Sequence, residues 1–169
     1  MRPFLTLHHP AAAARYYEQG LWRSETFYAL AARHAQGRPD AIAVQDGRRA
    51  LSWRELIRWV DGVAADLRTY GLVGGDRVSI WMSNRIEAIV TFLACSREGF
   101  ACNPSLHRTY TCAEIGQLLN RLSARALITE PGWGADRATA DFDAVLAEVP
   151  TLKVVYTPDD FPEPAPNKT

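Results

Sequence analysis

Residues Gly75–Cys102 read GDRVSIWMSNRIEAIVTFLACSREGFAC, and how this stretch is read decides the fold. Arg77–Met82 is a short run with β-branched and aromatic side chains, entered from Gly74-Gly75-Asp76, so it reads as a strand leaving a tight turn. Asn84 stands three residues before Glu87, which marks a helix start, and Ile86, Ile89, Val90 and Leu93 then recur on one helical face. Gly99 stops that helix, and Phe100–Cys102 opens a second extended piece. Strand, helix and strand in so short a span make a crossover unit with parallel strands.

Downstream the pattern repeats. Thr111-Cys112-Ala113-Glu114 is a T-x-x-E capping box, in which hydroxyl and carboxylate each satisfy a backbone N–H at a helix start. Ile115, Leu118, Leu119 and Leu122 follow at helical spacing. A strand at Ala126–Thr129, a weaker helix near Phe142–Ala147 and a strand in KVVYT complete the series. From Arg77 onward the order is βαβαβαβ, which predicts an α/β layer with a mainly parallel sheet flanked by helices.

Upstream, Pro10–Gln19 reads as a short helix stopped by Gly20. A second helix runs from about Glu25 to Gln36, capped by Ser24, with Phe27, Leu30, Ala31 and His34 on one face and Gly37 past its end. AIAVQDGRRALSW is a short β-hairpin around Asp46-Gly47. Ser52-Trp53-Arg54-Glu55 is a second capping box, opening a helix whose stripe is Leu56, Ile57, Val60, Val63, Ala64 and Leu67, with Gly71 as its stop. The expected organisation is an N-terminal helical extension over 1–23, an α/β subdomain over 24–156, and a proline-rich linker or frayed end over 157–169 with almost nothing to bury.

The chain has 169 residues, 47% hydrophobic and 22% charged, with 19 basic residues against 19 acidic ones. That balance fits one globular unit and gives no electrostatic case for nucleic acid or an anionic membrane as partner. The longest nearly apolar run, Ala88–Cys95, falls far short of a membrane span. The N-terminus lacks the apolar core and cleavage site of a secretory leader. Cys95, Cys102 and Cys112 contain no C-x-x-C pair and read as buried thiols, so a cytoplasmic location is expected.

Most polar signals have a structural reading. GLVGGD leads from a helix into a strand, whereas a phosphate-binding loop leads from a strand into a helix. Glu55, Glu87 and Glu114 read as capping groups, and Asp46 and Asp76 as turn formers. Trp53, Trp59 and Trp81 fall on or beside packed elements and read as anchors. His8, His9 and His34 have no partner at metal-ligand spacing, and no metal site is expected. In FACNPSLHRTYTCAEI only His107 and Arg108 lie in a loop suited to ligand contact.

Several of these positions occur together in one family. Pro39-Asp40, Leu51-Ser52-Trp53 with Glu55-Leu56, Gly75-Asp76-Arg77-Val78, Ser83-Asn84 and Asn103-Pro104 before Leu106 form an ordered set. It resembles the N-terminal region of AMP-forming acyl-CoA synthetases, the adenylate-forming superfamily, from Phe27 to at least Thr129. The look is nearest to ligases of fatty, alicyclic or aromatic carboxylic acids.

The resemblance implies an N-terminal fragment of a longer ATP-dependent acid:CoA ligase. Such an enzyme makes an acyl adenylate from a carboxylate and ATP, with Mg²⁺ offsetting charge, and then passes the acyl group to CoA. The family's phosphate loop, adenine segment, ribose-binding aspartate and C-terminal lysine have no counterpart here. The fragment alone is therefore expected to be inactive, to carry no catalytic residue and to bind no cofactor tightly, with the rest of the ligase as its partner. Some relatives place a basic residue near the CoA nucleotide where this chain has Ser105, so Ser105, His107 and Arg108 are the candidate CoA contacts. Two alternatives stand beside this reading: a free-standing α/β binding or dimerisation module, and a small flavodoxin-like nucleotide binder.

Overall fold

The computed structural model describes residues 9–104 and 106–164. In chain order the elements are α1 (Pro10–Glu18), α2 (Phe27–Gly37), β1 (Ile42–Gln45), β2 (Ala50–Ser52), α3 (Trp53–Thr69), β3 (Arg77–Trp81), α4 (Ile86–Glu98), β4 (Ala101–Asn103), α5 (Cys112–Leu122), β5 (Ala126–Thr129), α6 (Phe142–Ala147) and β6 (Val154–Tyr156). The strands β4-β3-β5-β6 form a parallel sheet of four in that order, and β1 and β2 pair antiparallel. Val78 lies opposite Cys102 on one side and Ala126 on the other.

Alternation along the strands divides the sheet into two apolar faces. Val78, Ile80, Ala126 and Ile128 pack with α2, α3 and α4, where Leu56, Val60, Val63, Leu67, Ile86 and Val90 are buried. Trp81 and Leu127 point the other way, onto Ile115 and Leu119 of α5 and Phe142 of α6. A layer covered on both faces is what a parallel sheet requires, because its crossover helices lie over it. Gly99 ends α4 with φ 73°, a left-handed conformation that suits glycine, and the Phe100 N–H donates to the Cys95 carbonyl at 3.0 Å. That turn folds β4 back beside β3.

Both capping boxes form as read: Ser52 with Glu55, and Thr111 with Glu114. Asp46 accepts from the Arg48 and Arg49 N–H groups in the hairpin turn, and Asp76 accepts from Val73. Five expectations need correction. Thr26, not Ser24, caps α2, its hydroxyl accepting from Ala29 at 3.1 Å, so the helix begins at Phe27. Asn84 does not cap α4; Arg85 occupies the cap position without a side-chain bond, and Asp46 reaches across from the hairpin to accept from Ile86 N–H at 3.2 Å. Glu87 is no capping group but a buried ion-pair member, and Ile89 is 43% exposed rather than in the core. Finally, the proline-rich end does bury something: Phe161 packs against Trp59 and Tyr156, and Trp59 Nε1 donates to the Pro162 carbonyl at 2.7 Å.

At the other end, α1 has no buried residue. Tyr16 and Tyr17 pack on Trp22 with ring centroids 5.1 and 5.7 Å apart, a small aromatic cluster of its own. His9 caps α1 through Nδ1, and His34 lies against Trp53 at 4.7 Å. His8 lies outside the described residues.

Candidate functional site

The chain leaves β3 toward β4 on one side and returns to β5 on the other, so the strand order reverses between β3 and β5. In open α/β sheets the crevice at the carboxyl ends of such strands is the usual ligand position. Three loops meet there, after β3, β4 and β5.

One side of the crevice is lined by charge. Glu130, just past β5, accepts from the Ser83 N–H at 3.0 Å and from Arg85 at 3.2 Å. Arg85 also bonds Glu87 at 3.2 Å, and Arg49 of the hairpin reaches Glu87 at 2.7 Å. Arg49 in turn lies 4.0 Å over the Trp59 ring. The hydrogen bonds to Glu87 push Arg85 above its already high ordinary pKa. Burial works to raise the Glu130 carboxyl, but the bonds from Ser83 and Arg85 outweigh it and hold the group below its usual range. These charges answer one another.

The loop after β4 differs. The His107 carbonyl accepts from Trp81 Nε1 at 3.0 Å and from Tyr110 N–H at 3.2 Å, while the His107 ring faces Tyr110 at 6.0 Å. Arg108 is exposed and lies 5.3 Å over Trp133 in the loop after β5. The two loops are bound together by Ala135 N–H to the Tyr110 carbonyl at 3.0 Å and Cys112 N–H to Asp136 at 2.8 Å. Gly134 sits at φ 142° where a Cβ would come within 2.6 Å of the Trp81 ring, so only glycine lets the loop lie this close.

That contact brings in two residues the sequence reading missed. Arg137 stacks 4.2 Å over Phe142, and its buried Nε, like Trp133 Nε1, has no hydrogen-bond partner among the described residues. Among the described residues neither Arg108 nor Arg137 has a carboxylate within ion-pair distance. The one sequence signal was the length of the β5–α6 connection, well beyond the two to six residues usual for such turns. His107 and Arg108 thus share one loop but face different aromatic neighbours, and Ser105 lies outside the described residues. No three His, Cys, Asp or Glu side chains among the described residues converge as cation ligands. No described helix is long and apolar enough to cross a membrane.

An open parallel layer with helices on both faces, preceded by a small hairpin, is a class shared by many proteins; the comparisons narrow it. A family model described as "AMP-binding enzyme" matches residues 31–169. The chain belongs to this family of adenylate-forming enzymes and corresponds to their N-terminal portion. It is 38% identical over 151 residues to enterobactin synthase component E of Escherichia coli K12, covering 89% of this chain and 28% of that protein. It is 42% identical over 122 residues to the medium/long-chain-fatty-acid–[acyl-carrier-protein] ligase FadD10 of Mycobacterium tuberculosis, covering 71% of this chain and 22% of that one. Among solved structures, coronafacic acid ligase from Pectobacterium brasiliense superposes with a TM-score of 0.70 at 21% identity, over 80% of this chain and 26% of that chain. The chain thus spans under a third of the length of these relatives.

Proposed function

We propose that this chain is the N-terminal portion of an ATP-dependent, AMP-forming acid ligase. The carrying observation is the family match over residues 31–169, supported by a parallel layer whose order and hairpin agree with that fold. In the full reaction a carboxylate attacks the α-phosphate of ATP, releasing pyrophosphate and leaving an acyl adenylate, and a thiol then displaces AMP to give a thioester. This portion packs against the rest of the enzyme and does not adenylate alone. Relatives named for aryl and for fatty acids match it alike, and the acid is not assigned.

Ser105, His107 and Arg108 are the candidate contacts for the nucleotide end of CoA. Arg137, in the loop bonded to that of Arg108, joins them in this reading, since an arginine offers phosphate a fixed fork of N–H donors. The test is carboxylate-dependent ATP–pyrophosphate exchange by the intact protein that carries this segment, over a panel of aryl and fatty acids, with the 169-residue chain assayed beside it. Exchange by the intact protein alone is expected; its absence across the panel would overturn the reading. In the active protein, Arg108→Ala should raise the KM for CoA, and an unchanged KM would remove Arg108 from the site.

A further inference from the structure

The two faces of the layer end differently at the surface. Of the eight large apolar side chains exposed among the described residues, six lie on α1, the turn after it, α2, β1 and α4: Tyr17, Leu21, Trp22, Phe27, Ile42 and Ile89. None lies on α5 or α6. Phe27 is 62% and Ile42 63% exposed, far more than a packed helix face or strand leaves open. Between α2, the hairpin and α4 lies an open groove of about 420 Å³, lined by Phe27, His34, Trp53, Leu56, Ile89 and Leu93 and mostly apolar. Its walls are held in place by ring contacts: Phe27 meets Phe92 at 5.2 Å, and His34 lies against Trp53 at 4.7 Å.

We propose that this groove is the seat of the portion of the same polypeptide that follows residue 169, which lays an apolar helix or strand face into it. The proposal rests on the reading of the chain as part of a longer ligase and adds which surface meets the remainder. Two observations select this occupant over a second copy. The chain covers only 28% of one matched relative and 22% of another, so in such a protein the greater part of the polypeptide is available to cover the groove. The second observation is where the described chain leaves the layer. Trp59 Nε1 holds the Pro162 carbonyl at 2.7 Å, and Pro164 lies beside Leu51 and Glu55. Trp53 and Leu56, on the same first turn of α3, border the groove. The exit and the groove thus flank one helical turn, roughly a helix diameter of about 10–12 Å apart. A following segment reaches so near a seat with a short loop, whose closure costs little chain entropy. Covering the groove removes Phe27 and Ile89 from water, the main favourable term in such packing.

The test places a photoreactive side chain in the groove of the intact protein that carries this segment. Phe27→p-benzoylphenylalanine, irradiated in dilute solution, should give a cross-link within one chain to a residue beyond Thr169, located by peptide mapping. A link between two chains, a link confined to residues 1–169, or no link would overturn the proposal. Ile89→Asp gives a second readout that needs no photochemistry. The new carboxylate stays hydrated where the groove is open and is buried where the groove is filled, so the melting temperature of the intact protein should fall by several degrees. An unchanged melting temperature would count against the proposal as well. Pyrophosphate exchange by the unmodified protein judges the ligase reading separately. An active protein whose Phe27 links only to a second copy keeps that reading and loses the groove, and an inactive one that links to its own continuation does the reverse.

Discussion

On one side of the carboxyl edge, Arg49 and Arg85 meet Glu87 and Glu130 at 2.7–3.2 Å, and Asp46 completes the hairpin's hold on α4. On the other, Arg108 and Arg137 lie over Trp133 and Phe142 and meet no carboxylate among the described residues. The two sides draw on the same kinds of residue. In the first, every charge is matched and Glu87 is only 2% exposed, so the group is a clasp joining hairpin, α4 and the β5 end. In the second, two donors stay unpaired against aromatic faces, an arrangement that stores no structural bond and leaves hydrogen-bonding capacity for a ligand. Arginine alone does not mark a site; what its neighbours leave unanswered does.

The sharpest way to break this comparison is Glu87→Gln. The amide keeps the shape but leaves Arg49 and the 9%-exposed Arg85 side chain short of a buried counter-charge. Removing one member of such a pair costs about 3 kcal/mol or more, read as a lower urea midpoint with an unchanged slope. A loss under about 1 kcal/mol would mean that Glu130 alone suffices for Arg85 and that the clasp is not structural.

Gly134→Ala tests the link that holds the open side together. The new methyl would need to come within 2.6 Å of the Trp81 ring, from a backbone angle that non-glycine residues rarely adopt. Overpacking of this kind costs about 1–3 kcal/mol. Because Trp81 Nε1 donates to His107, the variant should also shift the tryptophan emission. An unchanged spectrum and midpoint would show that the two loops are less tightly joined than their hydrogen bonds indicate.

The layer order, both capping boxes and the hairpin were legible in the sequence because each is written in neighbouring residues: Ser52 with Glu55, Thr111 with Glu114, Asp46 with Arg48 and Arg49. The clasp was not. Its decisive bonds join Asp46 to Ile86 and Arg49 to Glu87 across intervening α3 and β3, so local spacing offered Asn84 and Glu87 as a cap instead. Phe161 was missed for a related reason: prolines around it argue for an extended chain, and only Trp59, far away in sequence, supplies the surface it covers. Of the candidate site, His107 and Arg108 could be found from loop composition, whereas Trp133 and Arg137 join them only through the close approach at Gly134.

The smallest expected effect lies at Arg137 and is the most discriminating for the open side. Arg137→Met keeps an unbranched apolar stem against Phe142 while removing a buried Nε that has no acceptor among the described residues. A buried donor without a partner carries its full desolvation penalty, so its loss should leave stability unchanged or raise it by up to about 1 kcal/mol. The clasp variant Glu87→Gln moves in the opposite direction, and the two measured in the same urea series set paired against unpaired arginine directly. A loss above about 1 kcal/mol for Arg137→Met would show that water or another group already satisfies Nε in the folded protein. The open side would then be a second clasp rather than the phosphate contact proposed for it.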